Sequence, residues 1–269
     1  MHNESQIAVN IISLGCAKNL VDAEVMCGTL AINGFCLSSD PEFADLMLIN
    51  TCSFIADARE EAEESIRYAL GWKMEGKRCG VQRVVAVAGC LPQRNLQECQ
   101  ANYPEVGLFI GLDDISNLHK IIEDFYSGKK QAKQSSFPLS SYLYDHQTPR
   151  ITVTPENYAY IKIAEGCNHR CSFCAIPAIR GDFRSREINS VVEECKQLLQ
   201  QGVREINFIA QDSSYFGKDN NSSFLELLKN CENLPGDFWL RVLYTHPLHI
   251  TEEFLELLNE KNKIVPYLD

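Results

Sequence analysis

Apolar residues recur along this chain in two patterns: short unbroken runs, and longer stretches in which they return every three or four positions. Residues 7–13, 46–50, 84–88 and 108–110 are runs of strand length. Each is followed by a stretch of helical period, at 21–32, about 56–70, about 93–103 and 115–126. Unbroken runs, rather than strict alternation, are what strands buried on both faces require. Strands that alternate with helices predict an α/β domain, a doubly wound parallel sheet with helices on both faces. In such sheets a ligand sits outside the carboxyl ends of the strands.

The pattern lapses between about 127 and 157, where Ser127-Gly128-Lys129-Lys130-Gln131, Ser135-Ser136, Pro138, Pro149 and Pro155 sustain no period. A length of 269 residues suits two domains, so the expected organisation is a first domain over 1–127, a linker over 128–157 and a second domain over 158–269. The second domain resumes with strands at 158–164, 205–210, 239–243 and 265–268, and helices at about 189–201, 223–230 and 252–258. Four strands alternating with three helices predict part of a (β/α) barrel, which places its chemistry at the carboxyl ends of its strands.

Composition changes this picture little. Hydrophobic residues make up 45% and charged residues 23%, as in ordinary globular proteins. A net charge of −11 argues against a broad nucleic-acid surface and suits a partner with a basic face. The start, Met1-His2-Asn3-Glu4-Ser5-Gln6, carries no secretion leader, and no run approaches the ~18 apolar residues of a membrane span. A cytoplasmic protein without a membrane partner is the expectation. Twelve cysteines in such a chain are too sparse for a disulfide scaffold and read as metal ligands, catalytic groups or small buried hydrophobes.

Their placement carries the chemistry. Directly after the strand-like run at 158–164 comes Glu165-Gly166-Cys167-Asn168-His169-Arg170-Cys171-Ser172-Phe173-Cys174. Three thiolates can hold three irons of a cubane [4Fe–4S] cluster and leave the fourth iron open, and an open position is what a catalytic metal needs. The competing reading is a zinc site of Cys167, Cys171, Cys174 and His169. It is weaker, because zinc modules combine a Cys-x2-Cys pair with a second, distant pair. In the first domain Cys16, Cys52 and Cys90 each fall just past a strand, 36 and 38 residues apart. A parallel sheet would bring all three to one edge; the alternative is three unrelated buried cysteines. Cys27, Cys36, Cys79, Cys99, Cys195 and Cys231 match no ligand pattern and read as core or surface residues. The acidic cluster at 60–64 reads as a solvated helix face. Gln211 and Asp212, at a strand end, can accept hydrogen bonds from an ammonium group. Arg184 and Arg186 can pair with a carboxylate, although arginine at the start of a surface helix is commonly just solvated. His246, before Pro247, reads as a positioned loop residue rather than a ligand.

The Cys167–Cys174 segment resembles the radical S-adenosylmethionine (SAM) motif. The resemblance implies that SAM chelates the open iron through its amino and carboxylate groups and is cleaved to a 5′-deoxyadenosyl radical, with Phe173 beside the adenine. It also supports Gln211 and Asp212 as SAM contacts, although the Gly-Gly-Glu-like motif common in that superfamily is missing. Ser13-Leu14-Gly15-Cys16-Ala17-Lys18-Asn19-Leu20-Val21-Asp22-Ala23-Glu24, Asn50-Thr51-Cys52-Ser53-Phe54 and Gly89-Cys90-Leu91-Pro92-Gln93 resemble the amino-terminal domain of the methylthiotransferases. That resemblance implies a second [4Fe–4S] cluster on Cys16, Cys52 and Cys90, which holds or supplies the inserted sulfur. A reductant protein such as flavodoxin or ferredoxin and a sulfur donor are implied as well. Family members continue with further strand–helix units and a TRAM domain, so the chain is expected to be an amino-terminal fragment with a partial radical SAM (β/α) barrel. One branch of the family modifies the β-carbon of an aspartate in ribosomal protein uS12; another modifies an adenosine in transfer RNA. Gly15-Cys16-Ala17-Lys18-Asn19-Leu20-Val21-Asp22, Ile209-Ala210-Gln211-Asp212 and Arg180-Gly181-Asp182 resemble the ribosomal branch. The transfer-RNA branch and a non-enzymatic two-cluster electron carrier are the alternatives.

Overall fold

The computed structural model describes residues 6–129, 135–260 and 263–269. The start at 1–5, and Lys130 and Gln131 of the polar stretch, lie outside these residues. The chain divides into two compact units, Met1–Ser141 with Pro149–Ile151, and Tyr142–Thr148 with Thr152–Asp269. The described part of the 128–157 stretch is therefore shared between the units.

The first unit runs β1 (Ala8–Ser13), α1 (Ala17–Ile32), β2 (Cys36–Leu37), β3 (Leu46–Thr51), α2 (Ala56–Arg78), β4 (Val84–Gly89), α3 (Cys90–Asn102), β5 (Leu108–Ile110) and α4 (Leu118–Tyr126). Its five strands pair in parallel in the order β2-β1-β3-β4-β5. Every residue of β3 and β4 is buried, as their unbroken apolar runs require. Met47, Ile49, Val85 and Val87 pack against Ala62, Ile66 and Ala69 of α2 and Leu91 and Cys99 of α3. Helix α1 packs with α4 instead. In this strand order the chain reverses direction across the sheet between β1 and β3, and that switch point is where doubly wound sheets open a crevice for ligands. β2 has only two residues, too few for any period to reveal. α3 begins at Cys90 itself and is kinked at Asn95.

The second unit runs β6 (Tyr158–Lys162), β7 (Ala164–Glu165), α5 (Ile176–Arg180), β8 (Arg184–Ser185), α6 (Ile188–Gln200), β9 (Glu205–Ile209), α7 (Phe224–Glu232), β10 (Trp239–Val242) and α8 (Glu252–Asn259). β10, β9 and β6 form a parallel sheet in that order, while β7 and β8 pair antiparallel. Ile206, Phe208, Leu240 and Val242 meet Val191, Leu198, Leu227 and Phe254 in one core, which also holds Cys195 and Cys231. Two expectations change here. The run at 158–164 is divided, because the chain leaves the parallel sheet after Lys162 and pairs next with Arg184–Ser185. The run at 265–268 is not a strand among the described residues: only Ile264 bridges to Leu240. Pro266 has no N–H to extend the ladder, and Tyr267 and Leu268 are exposed. No helix among the described residues is long and apolar enough to cross a membrane.

Candidate functional site

In the first unit the residue before Cys16 makes the site geometry. Gly15 has φ +88°, and a Cβ there would lie 2.5 Å from Cys52 Cβ and 3.1 Å from Cys52 Sγ. Cys52 therefore packs directly on the turn that carries Cys16. Asn19 Nδ2 donates to the carbonyls of Leu14 (2.7 Å) and Asn50 (3.3 Å), and Asn50 Nδ2 donates to the Asn19 carbonyl (2.7 Å). This reciprocal pair ties the ends of β1 and β3 together. Thr51 Oγ1 donates to the Ala88 carbonyl at 2.6 Å, Ser53 Oγ donates to the Cys90 carbonyl at 3.1 Å, and Cys90 Sγ stands 4.0 Å from Asn19 Oδ1. Cys16, Cys52 and Cys90 thus stand at the carboxyl ends of three adjacent strands; Cys52 and Cys90 are buried and Cys16 half-buried.

In the second unit Gly166 plays the same part. Its φ is +81°, and a Cβ would fall 2.1 Å from the Asp182 carbonyl oxygen, so only glycine lets the chain pass there. Cys167 N–H donates to the Gly181 carbonyl (3.1 Å), and Phe183 N–H donates to Asn168 Oδ1 (3.0 Å). The thiol loop is stapled against 181–183 by these bonds. Cys167 is buried, Cys174 half-buried and Cys171 exposed. Burial pushes the Cys167 thiol up, and the nearby Cys174, Asp212 and Cys171 add to the rise.

Beneath the loop lies a charged network. Lys162 Nζ and Arg180 Nη1 donate to Glu165 Oε2 at 2.6 and 2.9 Å, and Gln211 Nε2 donates to Glu165 Oε1 at 2.6 Å. Lys162, Glu165 and Arg180 are all buried. Burial alone would raise the Glu165 carboxyl, but the Arg180 and Lys162 charges outweigh it and hold the group well below the usual carboxylate range. Sequence reasoning missed this network, although its signal was present: Lys162 and Glu165 interrupt an otherwise apolar run.

The remaining candidates separate. Gln211 is turned toward Glu165, and its Oε1 is buried without a hydrogen-bond partner. Asp212 Oδ2 accepts from His169 Nε2 (2.8 Å) and His249 Nδ1 (2.7 Å), and its Oδ1 accepts from Ser214 Oγ (2.6 Å). Burial opposes ionisation of Asp212, yet the Ser214, His169 and His249 hydrogen bonds hold its carboxyl below the usual value. Arg184 donates to the carbonyls of Asp182, Tyr142 and Arg180. Arg186 is buried against Glu194 and lies 4.3 Å over the Tyr144 ring, so its charge is matched in the interior. Phe173 is 86% exposed. His246 Nδ1 accepts from the Leu248 N–H, as a positioned loop residue does, but its ring also stacks on His169 with centroids 4.4 Å apart.

Residues 8–111 match the model of uncharacterized protein family UPF0004, and residues 161–269 match that of the radical SAM superfamily. The chain is 40% identical to the ribosomal protein uS12 methylthiotransferase RimO of Opitutus terrae, over 98% of this chain and 60% of the relative. The proteins of the same name from Dictyoglomus thermophilum and Syntrophotalea carbinolica are 40% and 43% identical, over 96% and 97% of this chain. The chain spans 56–60% of the length of these relatives. Among solved structures, the radical SAM methyltransferase TsrM from Kitasatospora setae superposes with a TM-score of 0.61 at 17% identity, over 94% of this chain and 57% of that one. The cobalamin-dependent SAM radical enzyme OxsB gives 0.56 at 10% identity, over 94% of this chain and 41% of that one. At these identities the likeness speaks for the α/β fold alone.

Proposed function

We infer that this chain, which belongs to the radical SAM superfamily, is part of a methylthiotransferase acting on an aspartate β-carbon of ribosomal protein uS12. The observation that carries the reading is the pair of three-thiol sets, one at the carboxyl ends of three parallel strands and one on the loop just past β7, each introduced by a glycine at positive φ. Three thiolates without a fourth protein ligand fit a [4Fe–4S] cluster with one open iron. Cys167, Cys171 and Cys174 would hold one, and Cys16, Cys52 and Cys90 a second. When bound, the first cluster supplies an electron to SAM, and SAM supplies both hydrogen-atom abstraction and the methyl group.

The chain's own residues do the holding and screening. Gly166 and the bonds to 181–183 fix the thiol loop in one shape. The Lys162–Glu165–Arg180 network anchors Glu165, just before the loop, while Cys171 and Phe173 are exposed. Gln211, whose buried Oε1 lacks a partner, is the candidate acceptor for a SAM ammonium; Asp212 would serve only by releasing a histidine. Arg184 stays a candidate for the SAM carboxylate, while Phe173 is free to close on an adenine ring. A reductant protein such as flavodoxin or ferredoxin and a sulfur donor complete the reaction. The net charge of −11 suits a basic ribosomal partner.

The test is anaerobic turnover with SAM, a reductant and a uS12 peptide, read by peptide mass, of a reconstituted protein that carries this chain at the full length of its relatives, of which the chain alone spans 56–60%. Methylthio addition at one aspartate is the expected result. SAM cleavage without peptide modification, together with modification of a transfer-RNA adenosine, would reassign the substrate. No SAM cleavage by a cluster-loaded protein would overturn the reading altogether.

A further inference from the structure

Beside the thiol loop, four side chains from three separate stretches of the second unit converge: His169, Asp212, His246 and His249. One ligand atom from each lies within 4.8 Å of all the others. The His169 ring stacks on His246 at 4.4 Å and on His249 at 5.0 Å, both at 20° between planes. Tyr215 closes one side, its ring edge-on to His169 and His249. We propose that these four residues form a binding site for one divalent transition-metal ion, of the zinc class, separate from the thiols.

The donor set selects the class. Three imidazoles and one carboxylate suit zinc, iron(II), cobalt(II) or nickel(II), whereas magnesium and calcium want oxygens. The distances suit it as well. Ligands about 2.0–2.1 Å from a tetrahedral ion stand roughly 3.4 Å apart. His169 Nε2 and His249 Nδ1 now lie 2.8 and 2.7 Å from the same oxygen, Asp212 Oδ2. Replacing the two imidazole protons by one cation therefore needs each contact to open by only about 0.6–0.7 Å.

The surroundings are already built to orient the ligands. Asp212 Oδ1, the oxygen left over, accepts from Ser214 Oγ at 2.6 Å, and Ser214 Oγ in turn accepts from the His246 N–H at 3.0 Å. Asp212, Ser213 and Ser214 are buried, and Ser213 is fixed by its N–H to the Tyr244 carbonyl (2.8 Å) and its Oγ to the Leu243 carbonyl (2.6 Å). A ligating carboxylate held in this way keeps its geometry when the ion binds. The histidine side chains retain access, with 21% of His169 and 13% of His249 exposed. His246 is the adjustable ligand, because coordination through Nε2 would place its proton on Nδ1 and release the 3.3 Å bond from Leu248 N–H. An ion here would pin the thiol loop, through His169, to the carboxyl ends of β9 and β10.

The proposal stands apart from the iron–sulfur reading, and its test does too. The full chain, reconstituted anaerobically so that iron and sulfide occupy the thiols, is equilibrated with zinc and passed through gel filtration. Zinc per chain is then measured for wild type, His249→Ala and His249→Gln. The wild type should retain about one zinc more than either variant. His246→Ala should retain more than His249→Ala does. In a variant with Cys16, Cys52, Cys90, Cys167, Cys171 and Cys174 all replaced by Ala, cobalt(II) should give d–d absorption without thiolate charge-transfer bands. Asp212→Asn should weaken that binding more than about tenfold. Equal zinc in the wild type and in both folded His249 variants would overturn the proposal. So would cobalt absorption dominated by thiolate bands, or cobalt binding that Asp212→Asn leaves unchanged.

Discussion

Lys162 and Glu165 form a fully buried ion pair, Nζ to Oε2 at 2.6 Å, at the point where the parallel sheet gives way to the thiol loop. Arg180 reaches the same oxygen at 2.9 Å, so two cations rest on one carboxylate. Removing one partner of a buried pair leaves an uncompensated charge and costs about 3–5 kcal/mol. Glu165→Gln should therefore lower the unfolding free energy of the second unit by that much. Trp72 and Trp239 lie in different units, so urea unfolding read by Trp239 fluorescence in a Trp72→Phe background isolates the effect. Glu63→Gln, at the exposed pair with Arg67, should move stability by less than about 0.5 kcal/mol.

The same carboxylate sets an acid limit. Glu165 ionises at lower pH in the folded chain than in the unfolded one, so the unfolded state takes up the proton first. Its stabilisation is fully present above the ordinary glutamate value of about 4.3 and is lost as pH falls below it. Asp212, also held low, adds to the loss in the same window. The urea midpoint of the second unit should fall steadily below about pH 4.5, and Glu165→Gln should flatten that slope. A slope unchanged by the substitution would assign the acid sensitivity to other carboxylates.

Much of this arrangement is legible in the amino-acid sequence, and the rest is not, for identifiable reasons. The strands that carry Cys16, Cys52 and Cys90 are unbroken apolar runs, a local signal. β2, β7 and β8 have two residues each and exist only because distant segments pair with them. The run at 265–268 looks like a strand by composition, yet Pro266 removes the donor that a ladder needs. The histidine cluster draws on residues 169, 212, 246 and 249, and no local spacing links the first two to the others. The nearest signal is His246 and His249, three apart just after a strand. Arg186 reads as a surface residue because the partners that bury it, Tyr144 and Glu194, become its neighbours only through the fold.

Gly15 and Gly166 should each control one cluster. Alanine at either position needs a strained positive φ and pushes its Cβ into a neighbour, Cys52 at 2.5 Å or the Asp182 carbonyl at 2.1 Å. Gly15→Ala should reduce iron bound by the first unit and spare the second; Gly166→Ala should do the reverse. Iron analysis after anaerobic reconstitution should read about eight irons per chain for the wild type and about four for each variant. Wild type that takes up no iron and shows no cluster absorbance after anaerobic reconstitution would contradict both expectations.

The two thiol sets should also separate in function. Cys16→Ala removes one thiol of the proposed cluster set that stands at the β1/β3 switch point. It leaves untouched the loop at Cys167–Cys174, where SAM is to be cleaved. In a protein that carries this chain at the full length of its relatives, reductive SAM cleavage should therefore continue in Cys16→Ala while methylthiolation of the uS12 peptide stops. Cys171→Ala should abolish both, because it removes one of the three thiols proposed to hold the cluster at which SAM binds. The distinction needs a folded first unit, and Trp72 reports on it: the ring is 5% exposed, and its Nε1 donates to the Pro41 carbonyl at 3.0 Å. A Cys16→Ala protein with native Trp72 emission, but with SAM cleavage lost as completely as in Cys171→Ala, would show that the two sets act as one centre. Continued SAM cleavage with no methylthiolated peptide would assign the first unit to sulfur delivery and the second to radical generation.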